Sequence, residues 1–381
     1  MRIHRLGLFI CLAFLIFSLS GVTSDRVVTV VPAQSMRSRT IPSPILTSVQ
    51  EQKLKEYAQA TVRYFTSHQA NNSRVGFPHS FFGTGNFRIC RNLSCQEVAG
   101  DLTRGYGSPV NINEVTLRFV SLAVAYKMGW LDYLPPEDRY TESWGQIYNG
   151  LQTLRLMQTS GDANQFYDGH FHRLYLTTKS ESGQSDSDRN RFEIVRPETV
   201  NIQSSDDNAL PFMNLLVLEG LARDSTVDIS DRSQIIDLGY DIRNAIDLKG
   251  FVVGNGIVHN YENGVPSIAV WDRVSAEGYI ILMALLLSNQ VTEEQFCRIA
   301  AVSLENYPVD WNTLQGNLIR IDQPSYHAAM FIHGVRAIHG LPVTEEEYSG
   351  ANYFETSTKP IFESHMEYAE YYGYQALGSK S

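Results

Sequence analysis

Residues 201–220, NIQSSDDNALPFMNLLVLEG, join a cluster of short polar side chains to a long apolar run. Ser, Asp and Asn side chains accept hydrogen bonds from the free N–H groups of a helix's first turn, so the cluster predicts a helix that starts near Asp207. Pro211 is expected in that first turn, where its missing N–H costs nothing. Two adjacent carboxylates, Asp206 and Asp207, are more than a cap requires, although a cap with a solvated neighbour remains an alternative.

Helical patterns on both sides of this junction predict an all-α domain. Apolar residues recur at helical spacing in residues 48–67, 113–128, 140–157, 235–246, 276–287, 292–306, 326–338 and 366–376. Ser48 and Glu51 have capping-box spacing, as do Thr292 and Gln295. Residues 276–287 are apolar on every side, which predicts a helix that is buried all round. Wholly apolar helices that alternate with amphipathic ones indicate an inner and an outer ring of helices.

β-structure is expected only in short inserts. Residues 165–178, QFYDGHFHRLYLTT, are typical of a short strand or extended loop. Residues 251–271 contain β-branched residues punctuated by Gly254-Asn255-Gly256 and Asn263-Gly264, which predicts a hairpin-like insert. Residues 68–112 are rich in Gly and aromatic residues without a regular period, and we expect a long loop there.

The N-terminus has the three-part layout of a secretory signal. In residues 1–24, basic residues precede an apolar run at 6–19, and small residues follow at 22–24. The apolar run is shorter than the roughly 20 residues that span a bilayer, so we expect cleavage rather than a retained anchor. The mature protein is then secreted or periplasmic, with a linker at 25–46 and a single domain at 47–381.

Charge and cysteine content narrow the possible partners. The net charge of −10, with both signs intermixed, argues against a nucleic-acid or anionic-membrane partner, because both require a basic surface. Cys90 and Cys95 are close enough in sequence to bridge in an oxidising compartment, whereas Cys297 is expected to remain a buried thiol. We expect a monomer with a neutral or cationic partner.

Polar residues recur where the most apolar helices begin. They are Asn111, Asn113 and Glu114 at the first such start, Asp206, Asp207 and Asn208 at the second, and Trp271, Asp272 and Glu277 at the third. If the inner helices are parallel, these starts gather at one end and form a mouth lined with carboxylates. Two carboxylates beside aromatic side chains suit glycoside hydrolysis, in which one protonates the leaving oxygen and the other activates water or attacks directly.

The catalytic roles follow from the expected environments. Glu277 lies in so apolar a helix that burial should raise its pKa, which makes it the candidate acid. A helix N-terminus lowers the pKa of a carboxyl group, so Asp207 is the candidate base, supported by Glu114. Each carboxylate also has a plainer interpretation: Glu114 as a first-turn acid favoured by the helix dipole, and Asp206 as a solvated cap.

Other kinds of chemistry are not favoured. His170 and His172 could be metal ligands across a strand, but no Cys or acidic partner lies at recognisable ligand spacing, so we predict no metal. No nucleotide-binding loop, nucleophile elbow or CxxC pair occurs, and no cofactor is expected. No motif recurs at a fixed period, which argues against a purely structural helical repeat.

Four segments resemble the glycoamylase-like domain family, in the same order. They are GYGSPVNINEVTLRFVSLAVAYKMGWLD at 105–132, FYDGHFHRLYLTT at 166–178, NIQSSDDNALPFMNLLVLEGL at 201–221 and VWDRVSAEGYIILMALLLS at 270–288. The family includes bacterial β-1,2-glucanases, the glucan-processing part of cyclic glucan synthases and a related uncharacterised bacterial domain family. The resemblance implies an (α/α)6-type toroid or barrel of helical hairpins with short β-hairpin inserts.

Two functions remain open at this stage. The first is an exported glycoside hydrolase or glucan-remodelling enzyme that acts on a glucan-type oligo- or polysaccharide. Its candidate substrate-binding residues are Tyr106, Tyr167, His170, His172, Asp206, Asn208, Trp271 and Asp272. The alternative is a non-catalytic glycan-binding or envelope-associated protein on the same barrel.

Overall fold

The computed structural model of the chain describes two long stretches and several shorter ones. The described residues are 47–66, 71–72, 77–78, 87–91, 94–98, 109–179, 192–195, 201–272, 276–303, 309–312 and 318–321. The predicted signal at 1–24, the linker at 25–46, Tyr106 and the helices at 326–338 and 366–376 lie outside these residues. In the described ranges, no helix is long and apolar enough to cross a membrane.

Helices account for most of the described structure. They are α1 (Ser48–Thr66), α2 (Ile112–Lys127), α3 (Pro136–Tyr140), α4 (Gln146–Thr159), α5 (Ser205–Arg223), α6 (Arg232–Asn244), α7 (Ala276–Ser288) and α8 (Glu293–Ser303). A π-helical turn, Thr141–Gly145, joins α3 to α4, and a 3-10 turn, Lys249–Phe251, follows α6. The helix-rich composition agrees with the predicted all-α class.

The strands are short and pair antiparallel. They are β1 (Asn71–Asn72), β2 (Phe77–Pro78), β3 (Phe87–Arg91), β4 (Ser94–Val98), β5 (Pro109–Val110), β6 (Tyr175–Lys179), β7 (Phe192–Val195), β8 (Ile202–Ser204), β9 (Val252–Val253), β10 (Gly256–Ile257), β11 (Asn260–Glu262), β12 (Val265–Pro266), β13 (Val309–Asn312) and β14 (Leu318–Ile321). The long loop expected at 68–112 instead contains the β1–β2 and β3–β4 pairs and strand β5, so that prediction is wrong.

Two of the helix starts were assigned from capping-box spacing, with different outcomes. Before α8, Thr292 N–H donates to Gln295 Oε1 at 3.0 Å and Gln295 N–H donates to Thr292 Oγ1 at 3.2 Å, which confirms the box. At α1 the box lies one residue upstream of the prediction. Thr47 N–H donates to Gln50 Oε1 at 2.9 Å and Gln50 N–H donates to Thr47 Oγ1 at 3.3 Å.

Helices α2 and α5 lie side by side and run in the same direction. Asn111, which caps α2, donates to Asp207 in the first turn of α5 at 2.8 Å. Further along both helices, the Asn214 amide donates to Thr116 Oγ1 at 3.0 Å. Because the two contacts advance in the same sense on both helices, α2 and α5 are parallel, and their N-terminal ends lie at the same end of the domain.

Helix α6 packs against α5 in the opposite direction. Gly239 lies against Glu219 near the end of α5, whereas the Arg243 guanidinium stands 5.5 Å from the Phe212 ring nearer its beginning. Arg243 also pairs with the buried Glu219 carboxylate at 2.5 Å. Helix α7 packs on the same α5, while α4 packs on α6 and α1 on α2. In the described residues α5 therefore packs against three other helices, α2, α6 and α7.

The core is apolar and centres on α2 and α5. Phe119, Leu122, Leu210, Phe212 and Leu215 are at most 2% exposed. Each side chain of this kind contributes about 1.5–3 kcal/mol to folding when it is fully buried. The two helices that carry the polar starts are therefore firmly held by their apolar bodies.

Helix α7 is not buried all round, contrary to the prediction. Leu287 is 41% exposed, and Glu277 and Tyr279 in its first turns are half-buried. Ile280, Ile281 and Leu285, by contrast, are buried. The helix is therefore partly accessible, and Glu277 is half-buried in its first turn.

The insert after α6 forms the predicted hairpins. Strands β9 and β10 pair across Gly254, which has φ +64°, and β11 and β12 pair across Asn263 and Gly264, with φ 55° and 77°. These left-handed conformations explain the Gly and Asn residues at the turns. Strand β11 also pairs with β8, so the insert is joined to the strand that leads into α5.

The cysteines depart from expectation at one position. Cys297 on α8 is half-buried and disulfide-bonded, so the prediction of a buried thiol is wrong. In the backbone register of β3 and β4, Cys90 and Cys95 lie opposite each other.

Candidate active site

Helix α5 begins at Ser205 rather than near Asp207. Ser204 precedes it with extended backbone and makes no capping hydrogen bond with its side chain, so the predicted Ser-Asp-Asn cap is wrong. Pro211 lies in the second turn instead of the first. Since proline has no N–H, the Asp207 carbonyl lacks its usual helical donor four residues on. The polar side chains of this cluster therefore serve a purpose other than capping the N-terminus of α5.

Part of the cluster joins α5 to the hairpin insert. Ser205 donates both its N–H and its hydroxyl to the His259 carbonyl, at 2.9 and 3.0 Å. Trp271 in turn donates its indole N–H to Ser205 Oγ at 2.9 Å, and its ring stacks on the His259 ring with 4.2 Å between centroids. Trp271 is only 6% exposed, so its indole mainly holds the insert against the start of α5.

Asn208 joins the start of α5 to the segment that precedes β6. Its Oδ1 accepts from Phe171 N–H at 2.8 Å, and its Nδ2 donates to the Phe171 carbonyl at 3.0 Å and to the Ser204 carbonyl at 2.9 Å. Asn208 is completely buried. The Asn208 amide therefore pairs with both backbone groups of Phe171, as a neighbouring strand would, and fixes the position of the 168–175 segment.

The two histidines of that segment are buried and bonded to the protein. The Nε2 atom of His170 donates to the Asp247 carbonyl at 2.7 Å, and burial lowers the pKa of this histidine. His172 donates from Nε2 to the Ala163 carbonyl at 2.8 Å and accepts at Nδ1 from Gln203 at 2.8 Å. The Ala163 carbonyl can only accept, so the hydrogen of that bond belongs to His172 Nε2. These contacts hold the segment in place.

Gly169 should be among the least replaceable residues near the site. Its φ is +81°, and a Cβ there would lie 2.7 Å from Asp247 Cβ. We expect Gly169→Ala to cost about 1–3 kcal/mol from the left-handed backbone and more from the clash, measured as a shift in thermal unfolding. Gly161→Ala is the matched control, since Gly161 has φ +72° but nothing within 4 Å of a Cβ. Equal losses in the two variants would contradict the close approach at Gly169.

Asp207 lies at the centre of a group of polar side chains. It is 6% exposed and accepts from Asn111 at 2.8 Å, and Arg173 Nε stands 3.6 Å from its Oδ2. Burial raises the pKa of Asp207 well above its ordinary value, and the charges of Asp206 and Glu277 raise it further. Asn111 and Arg173 act in the opposite direction but do not cancel the increase. The expectation that the helix N-terminus keeps this pKa low is therefore wrong.

The three predicted helix starts lie in one region. Asn111 connects the start of α2 to Asp207, and Glu277 at the start of α7 acts on the same carboxyl group through its charge. Asp206 is half-buried and forms a hydrogen bond with Ser204 Oγ. Glu114, in the first turn of α2, is exposed.

Two further residues that were predicted from the sequence to bind substrate are more accessible than Trp271. Asp272 is half-buried, and Tyr167 is 45% exposed, so an incoming molecule can reach both. Among the described residues, no group of three His, Cys, Asp or Glu side chains is arranged to hold a metal ion.

The sequence interpretation missed two neighbours of Asp207. Arg173 directly follows the HFH triplet, and Asn111 was noted only as a polar residue at a helix start. A basic residue in an otherwise apolar and aromatic strand segment is a weak signal that an acidic partner lies nearby. The pairing itself could not be foreseen, because it joins residues far apart in the chain.

Comparison with known proteins gives a structural likeness only. No protein-family model and no curated protein matches the sequence. A candidate glucoamylase from Bacteroides fragilis is 13% identical, with a TM-score of 0.51, and the match covers 88% of this chain and 70% of that one. An endo-β-1,2-glucanase from Chitinophaga pinensis, in complex with sophorotriose and glucose, is 10% identical with a TM-score of 0.48, over 85% of this chain and 69% of that one.

A third solved structure is an endo-β-1,2-glucanase from Talaromyces funiculosus with sophorose. It is 11% identical with a TM-score of 0.45, over 78% of this chain, and the chain spans 63% of its length. At such identities a structural likeness concerns the fold alone. On the Bacteroides fragilis match, the chain has a glycoamylase-like fold, which confirms the sequence resemblance at that level.

Proposed function

We propose that the chain is an exported glycoside hydrolase that cleaves a neutral, glucan-type polysaccharide. Asp207 and Glu277 are its catalytic pair, and the glycosidic bond lies between them during the reaction. The observation that carries the proposal is the position of Asp207: a buried carboxyl group at the start of an inner helix, with two more carboxylates acting on it. An idle carboxylate in that position would be costly, because burial disfavours its charge. The shared fold with a candidate glucoamylase supports the same class of reaction.

The environments of the two carboxylates favour Asp207 as the acid. Its pKa is raised by burial and by Asp206 and Glu277, so the carboxyl group keeps its proton at a higher pH than an ordinary aspartate. Glu277 is half-buried in the first turn of α7. This reverses the roles that the sequence suggested, in which Glu277 was the acid and Asp207 the base.

The chemistry that follows is that of a pair of carboxyl groups. Asp207 donates its proton to the glycosidic oxygen as the bond to the anomeric carbon breaks, so the leaving sugar departs as a neutral alcohol. Glu277 either removes a proton from the attacking water or attacks the anomeric carbon itself. Glu114, at the exposed first turn of α2, is proposed to support the pair at the edge of the site.

Substrate contacts are proposed for the accessible side chains of the site. These are Tyr167, Asp206 and Asp272, whereas Asn208, His170, His172 and Trp271 hold the surrounding segments through protein hydrogen bonds. Tyr106 is proposed from the sequence alone. The many carboxylates and the net charge of −10 disfavour polysaccharides that carry acidic groups, and favour neutral ones.

The test is product formation from a panel of purified polysaccharides. We expect the mature protein to release oligosaccharides from a neutral glucan, with β-1,2-glucan first in the panel because of the sequence resemblance, and to leave polyuronates uncut. Reducing-end assays and chromatography of the products measure the activity, and calorimetry on the same panel measures binding. Binding without products would favour the alternative, a non-catalytic glycan-binding protein, and neither binding nor products would overturn both.

A further inference from the structure

In the described part of the chain, Arg173 is the basic side chain that contacts the Asp207 carboxylate. Its Nε stands 3.6 Å from Asp207 Oδ2, while 56% of its side chain remains exposed. The carboxyl group that it meets is 9% exposed. The guanidinium therefore lies between a buried acid and the solvent.

The backbone on both sides of Arg173 is fixed. Arg173 N–H donates to the Ile202 carbonyl at 2.7 Å, and the preceding Phe171 is paired through its backbone with Asn208. Two residues further on, the Tyr175 hydroxyl accepts from His172 N–H at 2.7 Å. The Arg173 side chain therefore extends towards Asp207 from a backbone that hydrogen bonds hold in place.

We propose that Arg173 is the positioning residue that sets the pH range in which Asp207 holds its proton. An adjacent cation favours the ionised form of a carboxyl group, so Arg173 opposes the effects of burial and of the neighbouring acids. Without it, Asp207 would remain protonated to a higher pH, and the carboxyl group would be a weaker proton donor. This inference deepens the proposed function, but its first test requires no substrate.

Two other charged side chains act on Asp207, and they are Asp206 on α5 and Glu277 on α7. The elements that meet near the start of α5 also carry Glu114 on α2, and Asp272 and His259 in the insert. All but His259 are acidic, so they either raise the pKa of Asp207 or leave it unchanged. Of the described side chains whose charges act on Asp207, Arg173 is the one that favours its ionisation.

The test is a double-mutant cycle on thermal stability at two pH values. We expect Arg173→Gln to lower Tm by about 2 °C at pH 8, and by less than half as much at pH 4.5, where less of the Asp207 carboxyl group is ionised. In an Asp207→Asn background the same substitution should change Tm equally at both pH values. Arg173→Lys should retain part of the stabilisation, since it keeps the charge.

Arg155→Gln is the matched control, because Arg155 pairs with Asp241 at 3.7 Å on the surface away from this site. Its effect on Tm should not depend on whether residue 207 is Asp or Asn. If the chain is active, the basic limb of the rate profile should move to higher pH in Arg173→Gln and stay in place in Arg155→Gln. An Arg173→Gln effect on Tm that is identical at both pH values and in both backgrounds would overturn the proposal, whereas inactivity with intact coupling would overturn only the proposed function.

Discussion

Asp207→Asn is expected to lower the rate of glucan hydrolysis by about 10²–10⁴, the usual contribution of a general acid. The same change should stabilise the protein at neutral pH. The asparagine amide keeps an oxygen that accepts from Asn111, and it removes a charge that burial disfavours. Activity assays and thermal unfolding of the same preparation measure both effects.

The pH dependence of this stabilisation has a definite sign. The folded pKa of Asp207 is raised above its unfolded value, so the wild type is most favoured at low pH and loses stability as the pH rises from the unfolded towards the folded pKa. Asp207→Asn lacks this loss, and its advantage should grow with pH by about 1.4 kcal/mol for each unit of pKa difference. A loss of stability in Asp207→Asn at every pH would contradict a buried carboxyl group with a raised pKa. Asp206→Asn is the control, since Asp206 is half-buried and should give a smaller change in both measurements.

Asn208→Ala is expected to produce one of the largest losses of stability in the site. The side chain is fully buried and bonds to Phe171 N–H, the Phe171 carbonyl and the Ser204 carbonyl. Truncation leaves these backbone groups without partners in the interior, which should cost about 3–5 kcal/mol in total. Chemical denaturation of the variant measures the loss.

Activity separates this positional effect from simple destabilisation. Asn214→Ala removes another buried asparagine of α5, one that bonds to Thr116 rather than to the 168–175 segment. Both variants should be less stable, but only Asn208→Ala should lose activity at temperatures where it is still folded. If Asn208→Ala retained wild-type activity, the 168–175 segment would not depend on Asn208 for its position.

Local sequence patterns predicted the elements of the fold well. The apolar bodies of α2 and α5, the capping box of α8 and the Gly and Asn turns of the insert all lie within one segment each, so neighbouring residues carry the information. The predictions were wrong where a nearly identical sequence pattern lies one residue away, or where the structure depends on contacts with distant segments of the chain. The α1 cap falls on Thr47 because its side chain reaches Gln50, and a nearly identical pattern is offset by one residue.

The site was predictable in its location but not in its electrostatics. The three polar helix starts were recognised, and the structure brings Asn111, Asp207 and Glu277 into one region. The low pKa expected for Asp207 rested on its place at a helix N-terminus. Burial decides the direction instead, and burial depends on packing between α2, α5 and α7, which no local pattern reveals. The Asp207–Arg173 contact and the internal bonds of His172 also join distant segments, and a single sequence carries little information about such pairs.

The most direct test of the central claim compares two substrates across Asp207→Asn, Glu277→Gln and the wild type. One substrate is the glucan that the wild type cleaves, and the other is a dinitrophenyl glycoside of its product, whose leaving group needs no proton. If Asp207 is the acid, both variants lose activity on the glucan, and only Asp207→Asn recovers most of its rate on the activated glycoside. Full activity of both variants on the glucan, or recovery by Glu277→Gln alone, would contradict the assignment of Asp207 as the proton donor.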